Sequence, residues 1–316
     1  MKENQEKTLI FIQASLGPDA AFRIPSGASY RLDDGRTATR FLFDRIAKAI
    51  GNGLPEGCEL KVLTNDPEAV GFADQPDVII LHDDLKSGSS LCDYLEAHPE
   101  YTRVVRLLGH HPLTDPQLVT ETLIAFDNLP QEHRSSKKLG PHVCEVGQNI
   151  EVMIRQTLLE SRRAVVLDAA AVGEKYHNLN SFTPERVRSH FEEHVTPCMH
   201  SAAREPDIPS LRGWWTADTR DQRVKMGFAP LIAAFPGPMQ EHFGANVNAI
   251  IKYGEDNNVV LTFSKIVKAW DTLGLKKGTW MLSVSTEGKT GEQIRGLIQS
   301  GEASMVRLAE VEGPGI

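Results

Sequence analysis

Residues 8–14, Thr-Leu-Ile-Phe-Ile-Gln-Ala, form a nearly unbroken apolar run too short for a helix. Such a run predicts a strand buried on both faces of a parallel sheet. A stretch punctuated by Gly and Pro follows, from Gly17 to Gly35, and reads as a loop. Phe41, Ile46, Ala47 and Ile50 then recur at helical spacing, and Gly51 stops that helix. Residues 59–63, 78–81 and 104–108 predict further strands, and a helix runs from about Pro116 to Phe126. The alternation of strand, loop and helix predicts an α/β fold with a doubly wound, mostly parallel sheet.

The second half is patterned less regularly. Residues 128–149 are polar, contain Gly140-Pro141 and read as a connection. Residues 150–159 and 184–200 read as helices, 207–213 as a loop, and 214–217 as a last strand followed by a helix through about Ala234. Pro236-Gly237-Pro238 breaks the chain. Beyond it, 263–273 predicts an amphipathic helix, and 279–283, 292–298 and 305–308 predict a small βαβ tail. The expected division is residues 1–237 as one α/β domain and 238–316 as a small C-terminal α/β extension, a candidate dimerisation or lid element. No internal repeat is apparent.

Composition narrows the partners. Of 316 residues, 41% are hydrophobic and 24% charged, as in an ordinary globular chain, and the net charge is −8. An acidic surface offers no counter-charge to nucleic acid or to an anionic membrane, so a small molecule is the expected partner. No apolar signal core follows Met1–Lys7, and no apolar run approaches a membrane span. Cys58, Cys92, Cys144 and Cys198 lie far apart in no paired spacing. They read as free thiols in a reducing cytoplasm, the expected location.

The chemistry concentrates after the strand 103–108, where Gly109-His110-His111-Pro112-Leu113-Thr114-Asp115-Pro116 makes a sharp turn into a helix. In open α/β sheets ligands sit at the carboxyl ends of the strands, so this turn marks the expected cleft. Several segments lie in order around it. Gln13-Ala14-Ser15, Gly17 and Arg23-Ile24-Pro25-Ser26-Gly27 form an opening loop, followed by Gly35-Arg36 and Asp44-Arg45. Then come residues 104–116, Gly147-Gln148-Asn149-Ile150-Glu151-Val152, Glu193-His194-Val195-Thr196-Pro197 and Thr216-Ala217-Asp218-Thr219.

Taken together, these segments, over about residues 8–235, resemble the cytidylyltransferases of the spore-coat-polysaccharide type. Those are relatives of the enzymes that make CMP-activated sugar acids. The resemblance implies a sheet of nucleotide-diphosphosugar-transferase type. It implies transfer of CMP from CTP to a sugar or sugar acid with release of pyrophosphate, and Mg²⁺ as cofactor. It also implies roles. Arg23 and His110 fall at catalytic positions. Gln13, Ala14, Gly17, Arg23, Arg106 and Gly109 fall on the nucleotide side. Asn149, Glu151, His194 and Thr196 fall on the substrate side, and Asp218 and His110 at the metal.

The sequence departs from the family pattern at chemically important places. The first loop Arg is Ser15, the loop Lys falls on Gly27, the first metal Asp falls on His110, and the motif Asp is Asn149. Losing one preorganised donor costs on the order of 10²–10³ in rate, and a Lys and a metal ligand together roughly 10⁴ or more. Three outcomes stay open: a site repaired by other residues, different chemistry with His110 or His111 as base or as ligand of a softer metal, or binding without turnover. Plainer readings stand beside these. His110-His111 fill a turn, Asp218 caps a helix, and His194 packs in a helix that Pro197 interrupts. His190-Phe191-Glu192-Glu193-His194 also fits the His-x-x-Glu-His pattern of metallohydrolases, a distant alternative. Residues 283–290 approximate a phosphate loop but lack its first Gly and read as a strand-to-helix turn. Trp214-Trp215 reads as core packing or as a stacking platform for a ring.

Overall fold

The fold is described by a computed structural model over residues 7–14, 27–73, 76–80, 87–128, 150–160, 223–226, 232, 238–275, 278–282, 293, 297, 300–302 and 305–308. Strand β1 (Lys7–Gln13) is the centre of a five-stranded sheet. It is flanked on one side by β2 (Cys58–Thr64) and β3 (Val78–Ile80), and on the other by β4 (Tyr101–Leu108) and β5 (Glu151–Ile154). The order is β3-β2-β1-β4-β5. All pairings are parallel except β4 with β5, which is antiparallel. This is the mostly parallel α/β sheet that the alternating pattern predicts.

Side-chain parity along β1 builds two cores. Ile10 and Ile12 face one side, where they meet Leu42 and Ile46 of α1 (Ala38–Ala49) and Val119, Leu123 and Phe126 of α3 (Pro116–Asp127). Leu9 and Phe11 face the other, against Leu91, Cys92 and Leu95 of α2 (Ser87–Ala97). β4 repeats the division, with Val105 and Leu107 on the first side and Val104 on the second. A strand covered on both faces needs apolar residues at every position, and this is the reason for the unbroken run. Thr37 caps α1 by accepting the Arg40 N–H, and Asp115 caps α3 by accepting the Gln117 N–H.

A third core lies outside the sheet. Leu32, Ala38, Phe41 and Leu113 pack with Ile232 and with the helical hairpin of α4 (Pro238–Asp256) and α5 (Phe263–Thr272), through Val247, Ile250, Ile251, Ile266 and Trp270. A second sheet joins β6 (Arg223–Met226), β7 (Gly278–Leu282) and β8 (Met305–Leu308) in the order β6-β7-β8, antiparallel throughout. Both the third core and this sheet combine residues from either side of position 237.

Four local expectations change. Residues 150–159 are not one helix: β5 occupies Glu151–Ile154 and a helical run covers 155–160. Val152 enters the first core and Met153 the second, the period-two burial that a short apolar run cannot declare by itself. Strand β6 occupies Arg223–Met226, inside the stretch where a helix through Ala234 was expected. The tail is antiparallel, so it is not a βαβ unit. Pro238 starts α4 where a simple break was expected, because proline suits the first turn of a helix. The stripe Phe243, Val247, Ile250 and Ile251 carried the signal for that helix.

Gly244 on α4 lets the hairpin seat against the 27–37 segment. A Cβ at that position would lie 2.2 Å from Cζ of Tyr30, whose hydroxyl reaches Glu241. Gly244→Ala is therefore expected to destabilise by about 1–3 kcal/mol despite alanine's helix preference. In a Tyr30→Ala background the same change is expected to stabilise. A urea-denaturation double-mutant cycle reads the reversal of sign.

Candidate active site

Parity also assembles the polar residues. Gln13 shares a face with Leu9 and Phe11, Arg106 with Val104, and Glu151 with Met153, so all three lie on the α2 side of the sheet. Gln13 ends β1, Arg106 is near the end of β4, and Glu151 begins the antiparallel β5, so all three gather at one edge. Arg106 pairs directly with Glu151 across the strands. Its Nη1 donates to Glu151 Oε2 at 2.7 Å and its Nε to Gln13 Oε1 at 2.7 Å. Arg106 is 8% exposed and Glu151 7%, so the ion pair is screened little by solvent. Binding Oε1 to Arg106 fixes which end of the Gln13 amide faces the guanidinium.

The turn after β4 packs tightly on this edge. The Gly109 N–H donates to the Gln13 carbonyl at 2.9 Å. A Cβ on Gly109 would meet Thr39 Oγ1 at 2.5 Å, Ala14 Cβ at 3.1 Å and Ala28 Cβ at 3.2 Å. Ala14 and Ala28 flank residues 15–27, so both ends of the opening loop meet at Gly109. Gly27 lies buried in a short 3₁₀ turn, Gly27–Ser29, and Thr39 Oγ1 donates to the Ala28 carbonyl. Thr64 Oγ1 donates to the Ala14 carbonyl. Thr39 and Thr64 were not anticipated: a lone Thr at a helix start or strand end carries no distinguishing pattern.

His110 and His111 stand edge to face with centroids 4.5 Å apart. The His110 carbonyl accepts the Ile232 N–H, and the His111 N–H donates to the Leu108 carbonyl. Burial pulls the His110 imidazole down to about 4, and the Arg106 charge acts in the same direction. Burial, His110 and Arg106 together hold His111 well below the ordinary histidine range. His111 Nδ1 is buried with no hydrogen-bond partner among the described residues. Both rings are thus neutral near pH 7.

Of the sequence-predicted site residues, Gln13, Ala14, Arg106, Gly109, His110 and Glu151 are brought together at this edge. Gly17, Arg23, Asn149, His194, Thr196 and Asp218 lie outside the described residues, as do residues 190–194, Trp214-Trp215 and the 283–290 turn. Among the described residues no group of three or more His, Cys, Asp or Glu is placed to hold a metal, and no helix is long and apolar enough to cross a membrane.

No family model and no curated protein sequence matches this chain. Among solved structures, a cytidylyltransferase from Leptospira borgpetersenii serovar Hardjo-bovis (strain JB197) overlays 85% of this chain and 96% of its own at a TM-score of 0.54 and 14% identity. The chain therefore shares the mixed, mostly parallel α/β fold of a cytidylyltransferase. Two others overlay less: a CMP:2-keto-3-deoxy-manno-octonic acid synthetase complexed with CTP (55% and 89% covered, TM-score 0.35, 16% identity), and a 4-diphosphocytidyl-2C-methyl-D-erythritol synthase from Anaerococcus prevotii DSM 20548 (56% and 81%, 0.34, 11%).

The ion pair gives one expected outcome. Glu151→Leu leaves a buried guanidinium unpaired and is expected to cost about 3–5 kcal/mol, whereas Arg106→Met with Glu151→Leu recovers most of that loss in urea denaturation. The histidines give another. Both folded-state pKa values lie below the unfolded value, so the contribution of each is complete above about pH 6.5 and is lost as pH falls, for His110 through about 4. Stability is expected to drop by up to about 1.4 kcal/mol per pH unit for each histidine in that window. Comparing the pH profile with that of the His110→Gln/His111→Gln variant isolates the effect from carboxylate titration: the variant is expected to show the shallower slope.

Proposed function

We propose that the chain is a divergent cytidylyltransferase-like protein that transfers CMP from CTP to a sugar or sugar acid and releases pyrophosphate. One observation supports this above all. Gln13, Arg106 and Glu151 form a hydrogen-bonded chain at the carboxyl edge of the sheet, beside β1 and β4. Between those strands the order reverses, the position at which open α/β sheets bind ligands.

In this reading a sugar oxygen attacks the α-phosphorus of CTP while the bond to the pyrophosphate oxygen breaks. Glu151 holds Arg106, Arg106 orients Gln13, and the bare Gly109 lets both ends of the opening loop close in. Arg23, on that loop, supplies positive charge to the phosphoryl oxygens. Asn149, Glu151, His194 and Thr196 serve the acceptor side. The magnesium role does not fit the described residues. Its predicted ligand there is His110, a neutral imidazole under the influence of the Arg106 charge, whereas Mg²⁺ takes hard oxygen donors. An imidazole suits softer divalent ions, and no step here is routed through a metal.

A second reading, binding without turnover, is favoured by the electrostatics. Arg106 is neutralised by Glu151 and both histidines are uncharged, so the described floor holds no uncompensated cation to stabilise a transition state. One assay separates the two. Purified protein with CTP, Mg²⁺ or Mn²⁺ and candidate sugar acids is expected to release pyrophosphate. Arg106→Lys, which loses the two-pronged hold on Gln13 and Glu151, is expected to slow this by about 10² or more. Thermal stabilisation by CTP with no pyrophosphate from any acceptor favours the binding protein. No stabilisation by CTP overturns both.

A further inference from the structure

A cavity of about 800 Å³ lies between α1, α3 and the α4–α5 hairpin. We infer that it is a second ligand site, for an uncharged small molecule with a ring-sized apolar body and a hydrogen-bond acceptor. Its volume falls in the range of small-molecule sites, about 300–1,000 Å³. Phe41, Ile251, Val260 and Leu261 supply apolar wall. Val260 is 82% exposed, in a turn fixed by its own backbone. The Val259 N–H donates to the Gly254 carbonyl at 2.8 Å, and the Thr262 N–H to the Val260 carbonyl at 2.9 Å. The connection between α4 and α5 thus keeps an apolar lip in water, which the body of a ligand would cover.

The lining's charges select the ligand's own charge. Arg45 and Lys48 stand against Asp115 and Glu255, two cations and two carboxylates, so the lining is balanced. Burial lowers the Arg45 pKa to about 10, and Asp115 offsets part of that fall. Asp115 is itself engaged: one oxygen accepts the Gln117 N–H and the other the Phe263 N–H. Lys48 and Glu255 are exposed, so water screens both. An ion of either sign entering this lining sheds its water and meets no net counter-charge to offset the loss. A neutral molecule of the same shape gains the apolar contact without that cost. The acceptor follows from the polar groups. Thr120 Oγ1 donates to the Gly53 carbonyl at 2.8 Å and Gln117 Nε2 to Glu121 Oε1 at 2.9 Å, so these donors are taken. A guanidinium has five N–H donors, and the described hydrogen bonds of Arg45 run through Nη2 alone, to the Leu261 carbonyl at 2.8 Å and the Thr114 carbonyl at 3.4 Å. A neutral oxygen on the ligand takes up this spare capacity and leaves the charge balance unchanged.

Calorimetric titration of the full chain at pH 7 with three naphthalene probes tests this. They share one ring system and differ in charge: 1-naphthamide, 1-naphthoate and 1-naphthylmethylammonium. The neutral amide is expected to bind ten-fold or more tighter than either ion. Two variants at exposed wall positions locate the binding and leave Arg45 in place. Gln117→Trp adds bulk to the cavity, and Val260→Ser removes the apolar lip. Each is expected to weaken amide binding three-fold or more with circular dichroism unchanged. No binding of the amide, an ion binding within ten-fold of it, or amide affinity unchanged in either folded variant overturns the proposal. None of these results depends on whether CTP binds at the strand edge.

Discussion

The pairing of Arg106 with Glu151 constrains both fold and site. Two charges removed from water gain little over an apolar pair, so their value lies in what they forbid. The partners are 45 residues apart in sequence and meet only when β5 adds antiparallel to β4 in one register. A slip of one residue would turn Glu151 towards the first core, among Ile150, Val152 and Val105, and leave both charges buried alone. The same contact carries Gln13 through the Arg106 Nε. The lock on the antiparallel β4–β5 seam is thus also the floor of the proposed cleft.

Neutrality is the unusual feature of that floor. A phosphate-handling site ordinarily concentrates positive charge, yet the cation here is matched and the adjacent rings stay unprotonated. Thr39, Thr64 and the backbone of Gly109 contribute hydrogen bonds without charge. The described part of the edge is built to hold a shape, with its one buried cation matched by Glu151.

Much of the first half was legible in the chain because each element there obeys one period. The run at 8–14 is apolar throughout, α1 repeats its stripe, and Asp115-Pro116 is a helix start that needs no tertiary context. The strand-end turn and its neighbours Gln13, Arg106 and Glu151 were legible through motif order. Their union was not, since nothing in sequence says that Arg106 reaches both partners. β5 was hidden for a physical reason: its four residues are too few to show alternation, and the helical run behind it lends its own period. The α4 stripe was present but masked by the two prolines before it. The histidines were visible as residues, whereas their neutrality comes from burial and from a charge five or fewer positions away, which only packing supplies.

Asp115 joins distant parts of the chain at one carboxylate. One oxygen closes the start of α3 and the other the start of α5, 148 residues later. During synthesis the main sheet's strands emerge well before that second partner exists. Until the hairpin arrives, Phe41, Ala38 and Leu113 have no cover from Val247, Ile250 and Trp270. The nascent chain therefore passes through a stage with a sticky flank, and the hairpin at residues 238–272 acts as the cover for a surface made by residues 32–113.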